Sequence, residues 1–238
     1  MPQIQPGDPL ADLICSALNH GGLKLLDSDV VVVTQKVVSK AEGRLAKLSE
    51  IIPSPFALTV ASELDKDPRM VEVALREAKR IVRMDKGVLI TETHQGFVCA
   101  NSGVDKSNVE PDQVTLLPLD PDASARRIRE RIKQLTGVNV AVVISDTWGR
   151  PWRNGLVNFA IGCSGIAPIK NYVGKKDQYG YVLNVTEIAM VDEIAAIAEL
   201  AMGKLSDIPA VIVRGCEYDP ADVGIKELLR AAESDLFR

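Results

Sequence analysis

The sequence predicts a mixed α/β (α+β) fold in which buried strands are flanked by helices. Residues 30–33 are four consecutive valines, a β-branched run too apolar to keep one face in water and therefore typical of a buried strand. Residues 120–137 combine a helix-capping aspartate, apolar residues at helical spacing and a terminal glycine, as amphipathic helices do. The 238 residues are 46% hydrophobic and 25% charged, which is ample for a core.

In the first half of the chain, each predicted element has a local signal. Apolar residues at helical spacing are followed by the Asn-His-Gly-Gly of residues 19–22, which ends a helix. Asp67 and Pro68 are a typical start for a second helix, and His94-Gln95-Gly96 is typical of a hairpin turn. The predicted elements are a helix over 9–18, a strand over 30–39, a helix over 67–82 and a hairpin of strands 88–93 and 97–100.

In the second half, Asp120 opens a helix that places Ile128, Ile132 and Leu135 on its inner face and ends at Gly137. Apolar runs predict buried strands on either side of a further helix ended by Gly203. The predicted elements that follow are a strand over 138–145, a helix over 186–202, a strand over 210–213 and a helix over 225–237.

No internal repeat, low-complexity tract or linker marks a domain boundary, so residues 1–238 are predicted to form a single unit, with two lobes as an option. Residues 145–180 hold six of the 17 glycines and five of the ten aromatic residues. Glycine allows close backbone approach and aromatic rings offer flat surfaces, so this segment is our candidate for substrate contact. The alternative is an ordinary loop-rich lobe.

Charge and cysteine content exclude several classes of protein. A net charge of −4 provides no overall positive field for nucleic acid or anionic lipid. The four cysteines form no CxxC pair, which argues against a zinc cage or a disulfide scaffold and favours reduced thiols. We expect no export signal and no membrane span, and therefore a cytoplasmic protein.

The motifs of several common enzyme classes are missing. There is no phosphate-loop, dinucleotide-binding, zincin or nucleophile-elbow signature. His20 and His94 are the only histidines, and we expect solvated structural roles for both rather than a catalytic triad. The remaining chemistry is that of oxygen ligands and cations.

Two acidic segments follow predicted strands. Asp146 and Thr147 come directly after the buried strand that precedes them, and Asp105 lies in the polar loop 101–108. Ligands collect at the carboxyl ends of strands in open α/β sheets, and one or two carboxylates are the usual protein share of a Mg²⁺ site. Together the two segments could hold one Mg²⁺ or Mn²⁺ ion. The alternative is that these residues only form turns.

Positively charged residues accompany these carboxylates. Lys36 and Lys40 lie at and just after the end of the valine strand, and Arg150 and Arg153 follow Asp146 closely. Such cations could neutralise phosphates from two sides, although lysines at strand ends also serve solubility alone. The arginines of the helix after Asp120 point mostly away from its apolar stripe, and we interpret them as a solvated face.

Seven segments, in order and spacing, closely resemble the coenzyme F420:L-glutamate ligases, also called F420-0:γ-glutamyl ligases. The resemblance runs almost from end to end of the chain. The segments are 37–44 (VVSKAEGR), 101–108 (NSGVDKSN), 119–122 (LDPD), 144–150 (ISDTWGR), 159–165 (FAIGCSG), 174–180 (GKKDQYG) and 213–215 (VRG).

The resemblance implies the fold of that family and GTP-dependent addition of L-glutamate to the deazaflavin precursor F420-0. It also implies Mg²⁺ or Mn²⁺, with K⁺ as a further candidate cation, and a homodimer. Some relatives carry a C-terminal flavin-binding reductase-like domain; we expect only the ligase unit here. The alternatives are a metal-dependent phosphohydrolase, a ligase for a different acid, and a nucleotide-binding module without turnover.

Residue roles also follow from the resemblance. It implies that the divalent metal is bound by Asp105, Asp146 and Thr147. Relatives can place an acidic or amide residue just after the Met-Gly that ends the long helix, where it helps to bind metal, whereas this chain has Lys204. A second metal held from that side is therefore in doubt. The residues expected to face GTP are Gln35, Lys36, Lys40 and Asn108, with the N-terminal Pro2, Gln3 and Ile4.

Overall fold

The computed structural model of the chain describes residues 1–235. None of the helices in this range is both long enough and apolar enough to span a bilayer. The helices are α1 (Leu10–His20), α2 (Gln35–Ala41), α3 (Pro55–Leu64), α4 (Pro68–Arg76), α5 (Pro121–Thr136) and α6 (Met190–Met202). The strands are β1 (Val30–Thr34), β2 (Leu45–Lys47), β3 (Ala78–Asp85), β4 (Val88–Thr93), β5 (Val98–Ala100), β6 (Gln113–Thr115), β7 (Ala141–Arg150), β8 (Arg153–Ser164), β9 (Ile169–Asn171), β10 (Glu187–Ala189) and β11 (Ala210–Val213).

The main sheet has the strand order β11-β1-β7-β8. β1 runs parallel to β7, with Thr34 opposite Ser145, and the two outer pairings are antiparallel. The four valines of β1 are at most 1% exposed. This burial confirms the predicted buried strand, because a parallel pair at the centre of a sheet is covered on both faces.

Helices α1, α5 and α6 cover the main sheet and form with it the first core. The start of α5 packs directly on β8: a Cβ at Gly162 would lie 2.6 Å from Pro121 atoms, so only glycine fits there. Asp122, in the first turn of α5, accepts hydrogen bonds from the backbone N–H groups of Cys163 and Ile225. This carboxylate therefore ties α5 both to β8 and to a later part of the chain.

A second core lies beside the first. It is built by α3 and α4, the antiparallel sheet β3-β4-β5 and the β2–β6 pair. Its buried residues include Leu48, Val60, Leu89, Val114 and Leu116. The fold is therefore mixed α and β, as the sequence predicts, with two separate groups of buried apolar side chains.

The predicted strand over 30–39 is wrong after Thr34, because the chain turns there into α2. In a helix, residues four apart lie on one face, and this spacing places Gln35 and Ser39 together. Both side chains donate to the carbonyl oxygen of Leu116, over 3.1 Å and 2.6 Å. These tertiary bonds stabilise the helix despite the β-branched residues within it.

The predicted helix over 67–82 is wrong after Arg76, where α4 ends. The following residues form β3, which pairs with β4. Lys79 and Arg80 on β3 both reach the nearly buried carboxylate of Glu92 on β4. The strand pairing and these ion pairs outweigh the local helical pattern.

Other predictions are confirmed or corrected in their limits. The helix over 9–18, the hairpin, the strand over 210–213 and the α5 helix with its Asp120 and Gly137 caps are confirmed. The predicted strand over 138–145 begins at Ala141 and continues to Arg150, and the helix over 186–202 begins at Met190. The last predicted helix is wrong, since residues 225–228 and 232–234 are separate 3₁₀ turns; residues 236 and 237 lie outside the described range.

Ile132→Ala is expected to lower the free energy of unfolding by about 2–4 kcal/mol, because this fully buried side chain fills the first core. Leu135→Ala, on the same helix, is the matched control. The sequence predicts Leu135 on the inner face, but its side chain is 43% exposed, so we expect a loss below about 1 kcal/mol. Urea unfolding of both variants measures the difference, and equal losses would contradict the packing of α5.

Candidate active site

Three chain segments meet where β1 ends beside the middle of β7. The prediction that Asp146 follows its strand is wrong, because β7 continues through Asp146, which pairs with Phe159 of β8, to Arg150. The pairing of Thr34 with Ser145 places the start of α2 beside Asp146. The loop after β5 joins them through Asp105, whose backbone pairs with Thr115 over 3.1 Å and 2.8 Å. The predicted phosphate-binding lysines and the predicted metal-binding carboxylates therefore come from different elements but share one edge of the main sheet.

Asp146 is the buried carboxyl group of this site. Burial, with a smaller contribution from the nearby charge of Asp105, raises its pKa to about 6, against the opposing effect of a hydrogen bond from the Thr147 N–H over 2.8 Å. Lys36 and Lys204 also lie close enough to lower the pKa by their charge. Asp146 thus ionises at a cost that nearby positive charge reduces.

Hydrogen bonds stabilise the ionised form of Asp105. Its carboxylate accepts a hydrogen bond from Lys36 Nζ over 2.7 Å and two from Ser107, through N–H and Oγ. Burial pushes the pKa of Asp105 upward, but the bonds from Lys36 and Ser107 prevail and hold it below its usual value. Lys36 also donates to Ser107 Oγ, so the three side chains form one cluster.

Lys40 provides a second positive charge one helical turn after Lys36. Its ammonium donates to the backbone carbonyl of Asn108. Burial lowers the pKa of Lys40, and repulsion from Lys36 lowers it further. Two ammonium groups that repel each other are stabilised by an anion between them, which is a general property of phosphate sites.

Four side chains on the other side of Asp146 form a closed ring of polar contacts. Lys204 Nζ donates to Thr147 Oγ1, and Thr147 donates to Asn158 Oδ1. Asn158 Nδ2 donates to Glu199 Oε2 over 2.9 Å, and Glu199 Oε1 lies 3.3 Å from Lys204 Nζ. Sequence reasoning missed Asn158 and Glu199, because neither follows a recognisable motif and only the folded chain brings them to Thr147.

The donor set at this edge suits a hard divalent cation with few protein ligands. Within residues 1–235, no three His, Cys, Asp or Glu side chains come together as a metal cluster. The charge of Asp105, however, acts on Asp146, and Ser145, which precedes Asp146 in the chain, has a buried hydroxyl without a hydrogen-bond partner. In proteins, Mg²⁺ is usually bound by one or two carboxylates, and water and phosphate oxygens complete its coordination shell.

The remaining predicted ligands lie in different surroundings. Gln35 is buried and its amide donates to Ser39 and Leu116, so its N–H groups serve the fold. Ile4 is buried in the first core, while Pro2 and Gln3 are exposed. A hydrogen bond from the Gly7 N–H to Ala41 O brings this N-terminal segment to the end of α2. Asn108 contacts Lys40 through its backbone carbonyl.

Other candidates from the sequence have structural surroundings. His20 and His94 are exposed and bond to nearby backbone carbonyls. Arg150 and Arg153 pair across the tip of the β7–β8 hairpin, which begins about 13 Å of extended strand beyond Asp146. The predicted solvated face of α5 is confirmed, since its cations are exposed apart from the half-buried Arg129. Three of its arginines also make ion pairs across elements: Arg127 with Glu42, Arg129 with Asp222 and Arg131 with Asp12.

The segment 145–180 has a buried aromatic part and an exposed part. Trp148 stacks on Phe159, with ring centroids 5.5 Å apart, and contacts Phe97, which immediately precedes β5. Trp152 and Tyr179 are at least 80% exposed. The first group positions β7 beside the loop of Asp105, and the second presents flat surfaces to solvent.

The chain matches the family model described as F420-0:Gamma-glutamyl ligase over residues 1–215. The chain belongs to this family. It is 47% identical to the coenzyme F420:L-glutamate ligase of Methanothermobacter thermautotrophicus, with 100% of this chain and 96% of the relative covered. The relatives of the same name from Methanopyrus kandleri and Archaeoglobus fulgidus are 46% and 44% identical, covering 99% and 100% of this chain and 94% and 93% of their own lengths. This match confirms the resemblance to the coenzyme F420:L-glutamate ligases that is inferred from seven short segments of the sequence.

In the metal-free protein, Asp146→Asn is expected to increase the free energy of unfolding relative to the wild type, and to do so more at neutral pH than at acidic pH. Because the native pKa of Asp146, about 6, lies above the usual 3.8, the folded state binds the proton more tightly, and the wild type loses stability as pH rises between these values. Asparagine removes that loss, which is roughly 1–3 kcal/mol.

Chemical unfolding in EDTA at pH 4.5 and pH 7.5 measures this effect. Asp85→Asn, at an exposed carboxylate on β3, is the matched control and should follow the wild type. Parallel pH dependence in the wild type and Asp146→Asn would contradict the raised pKa.

Proposed function

We propose that this chain is a GTP-dependent ligase that joins L-glutamate to coenzyme F420-0 through an amide bond. The proposal rests on family membership and on one observation of the site. Two carboxylates, Asp105 and Asp146, meet two lysine ammonium groups, Lys36 and Lys40, at one edge of the main sheet. This combination suits a nucleoside triphosphate with its divalent cation.

Amide formation from a carboxylate in water requires activation of that carboxylate. In the proposed reaction, an oxygen of the acceptor carboxylate attacks the γ-phosphorus of GTP, and the bond to the GDP oxygen breaks. The glutamate amine then attacks the carbon of the acyl phosphate, loses its proton, and inorganic phosphate leaves. Neither step needs a nucleophilic side chain, which agrees with the absence of serine- or histidine-based motifs from the sequence.

The residues of the site supply charge and position. Lys36 and Lys40 would neutralise the phosphate oxygens, with Lys36 moving from Asp105 toward the nucleotide. Asp105, Asp146 and Thr147 would hold Mg²⁺ or Mn²⁺, and K⁺ is a further candidate cation. When bound, the divalent ion would supply charge neutralisation and orientation of the phosphates.

Charged groups of the site are partly paired within the protein. Asp105 contacts Lys36, and Lys204 contacts Glu199. An unpaired buried charge would be costly. The nucleotide and its cation would exchange these internal partners for stronger ones.

The exposed aromatic and glycine-rich part of residues 145–180 is our candidate for the flat deazaflavin acceptor. Tyr172 has two lysine ammonium groups over its ring, from Lys170 and Lys175, at 5.9 Å and 5.0 Å from the ring centroid. Cations beside an aromatic surface suit a planar acceptor that carries negative charge. This part of the chain would therefore deliver the acceptor carboxylate to the phosphate site.

Incubation of the protein with F420-0, GTP, Mn²⁺ and L-glutamate is expected to add one or more glutamyl units, seen as a mass increase of the cofactor. Asp146→Asn should remain folded and lose most turnover, roughly 10²-fold or more, because it weakens cation binding. Asp85→Asn should retain the wild-type rate.

Phosphate release distinguishes the alternatives. A phosphohydrolase would release phosphate from GTP without glutamate, a nucleotide-binding module would release none, and a ligase for another acid would leave F420-0 unchanged. Replacement of GTP by ATP, and of Mn²⁺ by Mg²⁺, defines the co-substrates. Any of the first three results would contradict the proposed ligation.

We also propose that two copies of the chain form a homodimer through apolar side chains on β8, α6 and the segment after α6. Leu156, Leu200 and Leu205 are 65%, 88% and 95% exposed on these neighbouring parts of the fold. Exposed apolar side chains concentrated in one region are typical of an interface. A symmetric partner of the same chain would cover them.

Leu200→Asp is expected to convert the dimer to a monomer, because it places a charge in the apolar interface. Leu58→Asp, at a half-exposed leucine of α3, is the matched control and should remain dimeric. Light scattering after size exclusion at micromolar concentration measures the mass. A monomeric wild type would contradict the proposed assembly.

A further inference from the structure

Lys204 lies among oxygen ligands where a cation would otherwise bind. Its ammonium contacts the hydroxyl of Thr147 and lies 3.3 Å from a carboxylate oxygen of Glu199. Its positive charge also acts on Asp146. One hydroxyl and two carboxylates are ligands typical of a hard metal ion. Here the positive charge near these groups is the ammonium of Lys204 instead of a metal ion.

The ring of contacts fixes this ammonium in place. Around the ring, Lys204 donates to Thr147, Thr147 to Asn158, and Asn158 to Glu199. Asn158 is only 3% exposed, so its orientation is set by the fold. If the amide of Asn158 were turned round, its oxygen would face the carboxylate of Glu199, and two acceptors would lie against each other. The hydrogen bonds therefore hold the four side chains in one orientation.

The backbone brings Lys204 back to the last turn of α6. Gly203 has φ +58° and donates its N–H to Glu199 O over 2.9 Å. A side chain at Gly203 would be strained at this φ and would lie 2.9 Å from Ser206 Oγ. The glycine turn therefore directs the lysine that follows it toward Glu199 and Thr147.

The same lysine remains accessible to a ligand. Its side chain is 58% exposed, while that of Glu199 is 23% exposed. An ammonium has three N–H donors, and the ring contacts account for two of them. The third can donate to an oxygen of a bound phosphate.

We infer that Lys204 is a fixed cation of the site, which occupies the place of a second divalent ion between Thr147 and Glu199 and binds the phosphoryl group during transfer. This inference rests on the proposed function. A divalent ion on that side would have to displace the ammonium and break the ring. The chain should therefore bind a single divalent ion, with Asp105 and Asp146 as its carboxylate ligands, in each active site.

The first test counts metal ions and does not depend on turnover. With a non-hydrolysable GTP analogue, Mn²⁺ binding measured by electron paramagnetic resonance is expected to saturate at a single ion per chain. Lys204→Gln, which adds no carboxylate, should leave that number unchanged, and Lys204→Glu, which exchanges the ammonium for a carboxylate, should bind a second ion; failure of Lys204→Glu to bind it would contradict the inference. Lys133→Gln, at an exposed lysine of α5, is the matched control.

The second test separates binding from transfer. Lys204→Gln should lower kcat roughly 10²-fold and change KM for GTP by no more than about threefold, because the lost contact is strongest during transfer. Thermal unfolding checks that each variant is folded, and Lys204→Glu, which must fold in order to bind its second ion, provides an independent check.

The outcomes are distinct from those of the proposed function. Two Mn²⁺ ions per wild-type chain, no Mn²⁺ at all, or an unchanged kcat in folded Lys204→Gln would overturn the role of Lys204. A single Mn²⁺ ion in the wild type and a second in Lys204→Glu, without any glutamyl transfer to F420-0, would support the fixed cation while contradicting the proposed ligation.

Discussion

The parallel pairing of β1 with β7 is the constraint on which the site depends. With Thr34 opposite Ser145, the chain leaves β1 for α2 beside the point at which β7 continues through Asp146 and Thr147. A shift of the register by one residue would reverse the faces of the side chains along β7. Asp146 would then point away from Asp105, and the charges that define the site would no longer meet.

A second requirement is the attachment of α2 to the other core. Gln35 and Ser39 bond to Leu116 O, and Arg44 donates to Leu117 O and pairs with Glu77 over 2.6 Å. These bonds fix the lysines of α2 relative to Asp105, which belongs to a loop beside the second core. The distance between Lys36 and Asp105 therefore reports how the two cores sit together, and the site forms only when both are folded.

The sequence predicts the parts of this structure that depend on local pattern. The valine run and the caps of α5 need no distant partner to be recognised, and the family could be identified from its ordered segments. Asp105 and Asp146 could be recognised as candidate ligands, although Asp146 lies within β7 and not after it. Helix α2 and strand β3 could not be predicted, because each is decided by bonds to residues far along the chain, Leu116 in one case and Glu92 in the other. The ring through Asn158 and Glu199 escaped prediction for the same reason, since its members are joined only by the folded sheet and α6.

The thiol of Cys99 lies close enough to Asp146 for the carboxylate charge to act on it. Burial, followed by that charge, raises the pKa of Cys99 to about 12, so sulfur is present there as a neutral thiol at any pH found in a cell. Zinc and other softer ions are held most strongly by thiolates, and each must displace the thiol proton in order to bind sulfur. The raised pKa of Cys99 makes that displacement costly, so a sulfur atom near Asp146 adds less affinity for competing trace metals than an ordinary thiol would.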